Sequence, residues 1–262
     1  MKRVAVITGG SSGIGLAAAK LLSENAYSVY EISRSGSSTS AITHITADVC
    51  DEEQLEAAFK AVFAAEGRID LLVNNAGMGI SGAVEYTELS DAKRIFDVNF
   101  FGVFLSSREC IKYLRQTPGS QIINISSVAA AFPIPYQSFY SATKSAQNSL
   151  TLALSSELRS FGIRVNGIMP GDVRTGFTEA RLKSNAGSEV YGDSIRAAVG
   201  NMEKDEKSGM NPETVALAIL KVSQKKCTGR IFTAGGKYKL FVFLSKFLPV
   251  GLVTRLVASM YR

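Results

Sequence analysis

Short runs of β-branched and aliphatic residues alternate along the chain with longer stretches of helical spacing, and this alternation limits the fold more than any other feature. VAVITGG ends a strand in glycines and IGLAAAKLLSE continues as a helix. YSVYEISR and AITHITADV read as strands, and DEEQLEAAFKAVFAAEG as a helix with acidic residues in its first turn. IDLLVNNAG, SQIINISS, IRVNGIMPG and GRIFTAGG close further strand units, and NPETVALAILKVSQ predicts a helix with Asn211 as N-cap and Pro212 at its first position. Strands separated by helices are joined by right-handed crossovers, which makes the sheet parallel and covers both its faces. The expectation is one α/β, doubly wound domain of about seven parallel strands with helices on both faces. Ligands of such sheets bind beyond the carboxyl ends of the strands.

Composition narrows the chemistry. The chain has 262 residues, long enough for one such domain with a full core. Cys50, Cys110 and Cys227 are far apart with no CxxC, which fits a reduced cytoplasmic setting and neither a disulfide framework nor a zinc site. The single histidine, His44, lies in a strand pattern and is read as structural, so a mechanism needing a histidine base has little to draw on. MKRVAVITGG holds only four consecutive apolar residues before Thr8, and no secretory signal is expected there. The net charge of +6 is uneven: eight basic and no acidic residues fall between Lys225 and Arg262, leaving 21 basic against 23 acidic in the rest. No nucleic-acid motif is present, and no nucleic-acid partner is expected.

TGGSSGIG, residues 8 to 15, follows a strand and opens a helix. Its glycines permit a tight turn and a close ligand approach, and a helix N-terminus offers free N–H groups to phosphate. On these residues alone a bare strand-to-helix turn is an equal reading, and without GK[ST] it is no P-loop. Tyr140 and Lys144, four residues apart in FYSATKSA, share one face of a predicted helix.

Together with NNAG at 74 to 77, Asn99, Ser127 thirteen residues before Tyr140, and Pro170-Gly171, these motifs resemble the short-chain dehydrogenase/reductase family in order and spacing over roughly residues 2 to 235. With its C-terminal extension the chain is similar to steroid- and retinol-type members. The resemblance implies a Rossmann-type domain, a nicotinamide dinucleotide and reversible oxidation of an alcohol to a carbonyl. It makes Tyr140 the proton donor and acceptor, Lys144 the group that lowers the phenol pKa and holds the nicotinamide ribose, Ser127 the partner of the substrate oxygen, and Asn99 the holder of a water beside the lysine. The chemistry requires such a set, since the alkoxide left by hydride transfer must be protonated and its charge stabilised as it forms.

The implied cofactor contacts are Thr8, Gly9, Ser11, Ser12, Gly13, Ile14 and Gly15 in the turn, Ser33 and Arg34 after the second strand, Asp48 and Val49, Asn75, Ala76 and Gly77, Tyr140 and Lys144, and Pro170, Gly171, Val173 and Thr175. Ser33 stands where an NAD-selective Asp would be, and the planar guanidinium of Arg34 suits a 2′-phosphate, so NADP(H) is expected, with NAD(H) as the alternative. Glu31, two positions earlier, pulls the other way.

AAAFPIPYQ, apolar and uncharged, predicts a lipophilic substrate bounded by Ser127, Tyr136, Tyr140 and Phe177. Residues 1–236 are read as the catalytic domain, with 171–209 as a mobile lid excursion, and 237–262 as a basic, apolar helical extension. Lys246, Pro249, Gly251 and Arg255 interrupt that extension, so it is no transmembrane helix but two short helices broken at Pro249, with Leu252, Leu256 and Met260 on one stripe. Two readings remain for it: packing on the domain, its pocket or a second subunit, or contact with an anionic membrane surface. The functional expectation is an NADP(H)-dependent reductase or dehydrogenase of steroid- or retinoid-like alcohols and ketones, cytoplasmic or peripherally membrane-bound, and a homodimer or homotetramer. The alternatives are a 3-oxoacyl-thioester reductase and a dinucleotide-binding redox sensor or scaffold; the latter is disfavoured by the retention of Tyr140 and Lys144.

Overall fold

The computed structural model describes residues 2–261; Met1 and Arg262, the outer ends of the expected domain and extension, lie outside the described residues. The first half contains β1 (Arg3–Thr8), α1 (Gly13–Glu24), β2 (Tyr27–Ser33), β3 (Ile42–Thr46), α2 (Glu52–Glu66), β4 (Leu71–Asn74), β5 (Ile80–Ser81), α3 (Leu89–Phe96) and α4 (Gly102–Leu114). β6 (Gln121–Ile125), α5 (Ser138–Glu157), β7 (Arg164–Pro170), α6 (Phe177–Ala180), β8 (Leu182–Lys183), α7 (Ser188–Tyr191) and α8 (Ser194–Lys207) follow. α9 (Pro212–Ser223), β9 (Arg230–Ala234), α10 (Gly236–Ser245) and α11 (Val250–Met260) complete the chain.

Seven strands form one parallel sheet in the order β3-β2-β1-β4-β6-β7-β9. β1 shows why: its alternate residues feed two different cores, which a strand buried on both faces must do. Ala5 and Ile7 pack with Leu22 of α1 and Val215 and Ile219 of α9. Val4 and Val6 pack with Leu55 and Phe59 of α2 and Leu114 of α4. The chain winds outward from β1 to β3, then returns to the other side of β1 to make β4. The loops after β1 and β4 therefore diverge, and a crevice opens at the carboxyl edge between them.

The segment expected as a mobile lid excursion carries α6, α7 and α8. α8 buries Ile195, Ala198, Val199 and Met202, so its apolar positions, diluted by charge in the sequence, do recur at helical spacing. It is fastened by ion pairs between Arg181 and Glu206 and between Lys183 and Glu203. β8 pairs with β5 in a separate two-stranded sheet, which ties this segment to the loop after β4.

Helices α10 and α11 flank Pro249, as the sequence suggests. The face of α11 that packs inward is not the stripe of Leu252, Leu256 and Met260, for which packing and membrane contact were both open. Val253, Val257 and Tyr261 meet Phe132 and the α8 residues Ala198 and Met202, whereas Leu252, Leu256 and Met260 stay exposed. The helix carries two apolar stripes, and only one is used in packing. Among the described residues no helix is long and apolar enough to cross a membrane.

Candidate active site

A cavity of about 530 Å³ lies at the carboxyl edge of the sheet. At one end the chain leaves β1 through Gly9, where φ is +66°, and Gly13, where φ is +51°. A Cβ on Gly9 would sit 2.9 Å from the Ala76 Cα, and one on Gly15 would strike the Gly9 carbonyl. The turn is therefore as tight as its glycines allow. Asn75 fixes it in place: its side chain donates to the Thr8 carbonyl (3.1 Å) and the Gly9 carbonyl (3.0 Å). The N–H groups of Asn75 and Ala76 donate in turn to the Thr8 hydroxyl at 3.1 and 3.2 Å.

Thr8 and Gly15 thus shape the loop from behind, while Gly9, Ser11, Ser12, Gly13 and Ile14 line the cavity. Ser12, the N-cap of α1, makes no side-chain cap, so the first-turn N–H groups face the cavity without a side-chain partner. This uncapped cradle, into which a Cβ would not fit, suits the pyrophosphate of a dinucleotide.

Beyond the turn, Ser33, Arg34, Asp48 and Val49 line the wall, with Asn75, Ala76 and Gly77 beside them. Arg34 is exposed, and Arg94 of α3, which the sequence reading did not single out, lines the same corner. Its only signal was a basic residue in an amphipathic helix, a place usually given to solvent. Glu31 does not line this corner. It is buried beneath Gly10 and paired with His44, whose other ring nitrogen lies 2.9 Å from the Thr46 hydroxyl. His44 is structural, as its strand pattern indicates.

At the reaction end, α5 presents Tyr140 and Lys144 to the cavity, and the loop after β6 presents Ser127. Ser127 hydrogen-bonds the Tyr140 phenol and also accepts from the Ala129 N–H at 3.1 Å. Burial pushes the phenol up to about 12, against the pull of the Ser127 hydrogen bond. Burial also pushes the Lys144 ammonium down to about 8.

The ammonium does not lie against the phenol oxygen. It donates to the Ile125 carbonyl at 2.9 Å and to Gln147 Oε1 at 3.1 Å, and lies 5.9 Å from the centre of the Tyr140 ring. The lowered phenol pKa anticipated from the sequence is not found in this arrangement; the tyrosine is held protonated, the form a proton donor needs. Gln147, one helical turn beyond Lys144, was missed because an amide in a helix carries no chemical signature of its own.

Asn99 lies in a π-helical turn (Asp97–Phe101) and is fully buried outside the cavity wall. Its side chain accepts from the Met78 N–H (2.8 Å) and donates to the Met78 carbonyl (2.9 Å) and the Thr143 hydroxyl (3.2 Å). It clamps the loop that carries Asn75 to Gly77 against α5. Pro170, Gly171, Val173 and Thr175 line the cavity after β7, and Phe177 of α6 packs 5.7 Å from the Tyr140 ring, centre to centre.

Tyr136 is a correction. It was expected at the substrate, yet it does not line the cavity; with a φ of +61° it turns toward Tyr191 and the C-terminal helices. Its neighbours Ile134 and Gln137 line the cavity in its place, together with Glu206 of α8 and Asp172.

A dinucleotide cradle at a topological switch point, beside a Ser–Tyr–Lys set, defines a nicotinamide-dependent oxidoreductase acting on CH–OH groups. The short chain dehydrogenase family profile matches residues 3–186, and the chain belongs to that family. A 3-ketodihydrosphingosine reductase of Bacteroides thetaiotaomicron is 37% identical over 227 residues, covering 86% of this chain and 84% of the relative. A probable short-chain type dehydrogenase/reductase, VdlC, of Helicobacter pylori is 32% identical over 252 residues, or 94% of this chain and 93% of that one. Among solved structures, ElxO with NADP bound superposes with a TM-score of 0.76 at 27% identity, covering 92% of this chain and 100% of its own. A 3-ketoacyl-(acyl-carrier-protein) reductase from Brucella melitensis in complex with NADH gives 0.74 at 27% identity, with 88% and 96% covered.

One pH dependence follows. The limbs of kcat/KM report the free enzyme. Lys144 is cationic below about 8 and neutral above it, while Tyr140 keeps its proton to about 12. Reductive kcat/KM should be level near neutrality and fall as pH rises through about 8, and Lys144→Arg, less active but always charged, should lose that limb. A wild-type profile level to pH 10 contradicts the assignment.

Proposed function

We propose that the protein reduces the carbonyl of a long-chain, lipophilic ketone, with NADPH as the hydride source and Tyr140 as the proton donor. The observation that carries the reading is the presence of Tyr140, Ser127 and Lys144 on the wall of the cavity that also holds the dinucleotide cradle. When bound, NADPH supplies the hydride to the carbonyl carbon and leaves as NADP⁺. Ser127 and Tyr140 donate hydrogen bonds to the carbonyl oxygen and stabilise the charge that grows on it. Tyr140 then passes its phenolic proton to that oxygen, which completes the alcohol. Lys144, cationic at neutral pH, stabilises the phenolate left behind.

The apolar cavity residues Ile134 and Phe177, and the name of the Bacteroides relative, support a long-chain ketone over the steroid- or retinoid-like compounds first expected. The Brucella neighbour supports 3-oxoacyl thioesters as a second reading. A panel of long-chain 3-ketones, 3-oxoacyl thioesters, hydroxysteroids and retinol, followed by NADPH absorbance, should give its highest kcat/KM with the long-chain ketones. Tyr140→Phe should lower that turnover by at least about 10²-fold while leaving NADPH affinity nearly unchanged; an active variant would refute the mechanism, whereas a wild type that binds NADPH and reduces nothing in the panel would favour a sensor or scaffold role.

NADPH is the proposed cofactor because Arg34 and Arg94 share the corner at the end of β2, whereas Glu31 is buried against His44 and does not line it. Arg34→Ala should weaken NADPH binding by roughly 10- to 100-fold and NADH binding little, as expected for one charge-assisted contact to a phosphate. Equal losses for the two cofactors would remove this role.

Contact with an anionic membrane belongs to the same proposal. Phe243, Phe247 and Val250, the last 81% exposed, project from α10, α11 and the bend between them, among Lys239, Lys246 and Arg255 and with no acid in this part of the chain. In flotation with phosphatidylglycerol vesicles the wild type should rise with the lipid, and the Phe243→Ser/Phe247→Ser double variant should remain below; identical behaviour argues instead for a protein-facing surface. Assembly into a homodimer or homotetramer remains part of the proposal, with Phe101, Phe104 and Leu152 as exposed apolar residues around α4 and α5.

A further inference from the structure

Glu31 and His44 face each other across β2 and β3, two residues before those strands end at the paired positions Ser33 and Thr46. Glu31 is 3% exposed, and its Oε1 accepts from His44 Nδ1. Such a pair could serve the sheet edge alone. Its neighbours, however, are the two loops that line the dinucleotide end of the cavity, and its bonding is incomplete. Glu31 Oε2 is buried with no hydrogen-bond partner among the described residues. A pair that served stability alone has no reason to leave a buried carboxylate oxygen unsatisfied.

On one side of the pair lies the glycine turn. A Cβ on Gly10 would sit 2.5 Å from the Glu31 Cβ and 3.2 Å from Oε2. On the other side lies the loop that carries Arg34 from β2 toward β3. A Cβ on Gly36 would sit 2.5 Å from Glu31 Oε1 and 2.8 Å from His44 Nδ1, so the loop backbone rests directly on the pair. The Ser33 hydroxyl donates to the Ser35 carbonyl at 2.8 Å and lies 3.3 Å from Glu31 Oε1, and the His44 N–H donates to the Ser38 hydroxyl at 2.9 Å. The turn has supports of its own, from the Asn75 side chain and from the Gly9 N–H, which donates to the Ile32 carbonyl at 2.7 Å. The Arg34 loop rests on the pair instead. Arg34 is exposed and makes no hydrogen bond or ion pair among the described residues, so the backbone beneath it sets where its guanidinium is offered.

We propose that the Glu31–His44 pair positions the loop carrying Arg34, and that His44 thereby sets the preference for NADPH over NADH without touching either cofactor. This rests on the reading of Arg34 as the partner of a 2′-phosphate. Ser33, Arg34 and Ser35 line the cavity, whereas Glu31 and His44 do not, so the pair acts through the loop. A loop that had to be ordered on binding would subtract its lost entropy from every contact Arg34 makes. Removing the imidazole frees the carboxylate under Gly36 and uncouples the loop from the strand edge. The loss falls on the contact to the 2′-phosphate and spares the rest of the dinucleotide, which NADH shares.

The test is calorimetry of NADPH and NADH binding to wild type, His44→Ala, Arg34→Ala and the double variant. Wild type should prefer NADPH by at least about tenfold, and His44→Ala should lower that preference roughly five- to tenfold with NADH affinity nearly unchanged, as for the partial loss of one charge-assisted contact. In the Arg34→Ala background the same substitution should change the preference by less than about twofold, because the residue through which it acts is gone. A merely structural role would lower both affinities together and would persist in that background; either result overturns the proposal, as does an undiminished preference in His44→Ala. Gly36→Ala leaves the pair intact and lifts the exposed loop off it, which keeps the test decisive if His44→Ala does not fold. It should reproduce the selective loss, and full preference in this variant also refutes the positioning role. Equal binding of the two cofactors by wild type would sink the Arg34 reading and the positioning role with it. A preference lost in Arg34→Ala but kept in His44→Ala would refute the positioning role alone.

Discussion

A buried chain of polar side chains under the carboxyl edge of the sheet holds the catalytic end in register. Asn74 of β4 donates to Asn124 of β6 (2.8 Å) and to Ser107 of α4 (3.0 Å), and accepts from Ser106 at 2.6 Å. Asn124 donates to Thr151 of α5 at 2.9 Å, and Thr151 donates to the Gln147 carbonyl at 2.7 Å. Gln147 receives the Lys144 ammonium. An unpaired amide or ammonium in such a place would cost several kcal/mol, so each member fixes the next, and two strands and two helices are locked at defined heights. The lysine that the chemistry needs is the end of this chain, and its position is set before any ligand arrives.

The same network explains an apparent conflict in the site. A buried lysine and a buried tyrosine each move toward neutrality, the ammonium down and the phenol up, because burial disfavours both charged forms. With the ammonium turned to the Ile125 carbonyl and Gln147, burial wins and the phenol is retained. The phenolate is costly in this arrangement whether reduction leaves it behind or oxidation requires it, so both directions depend on the compensating cationic charge of Lys144.

Much of this was legible in the sequence because the features involved are local. The glycine turn, the strand alternation and the one-turn spacing of Tyr140 and Lys144 each follow from residues close in the chain, so pattern and geometry coincide. The residues that escaped notice act across the chain. Gln147, Arg94, Arg181 and Glu206 are ordinary helix or loop polar residues until the fold brings Glu206 against a loop 25 positions away or Lys144 against the carbonyl of Ile125. Tyr136 failed for a related reason: sequence placed its loop at the pocket correctly, but a single positive φ sends its ring to the other side. The stripe of Leu252, Leu256 and Met260 was visible, but not which of two apolar faces would pack, since that depends on Phe132 and Met202 from distant segments.

The C-terminal helices also connect the outer surface to the chemistry. Tyr238 of α10 packs against Gly171, where a Cβ would collide with its ring, and donates to Asp172 on the cavity wall. Phe241 stacks 4.6 Å from Phe132, centre to centre, in the loop that leads to Ile134 and Gln137. Every one of these contacts joins the extension to a residue within a few positions of the substrate end. A helix pair seated on a lipid surface through its exposed face would therefore act on the pocket mouth through its buried one.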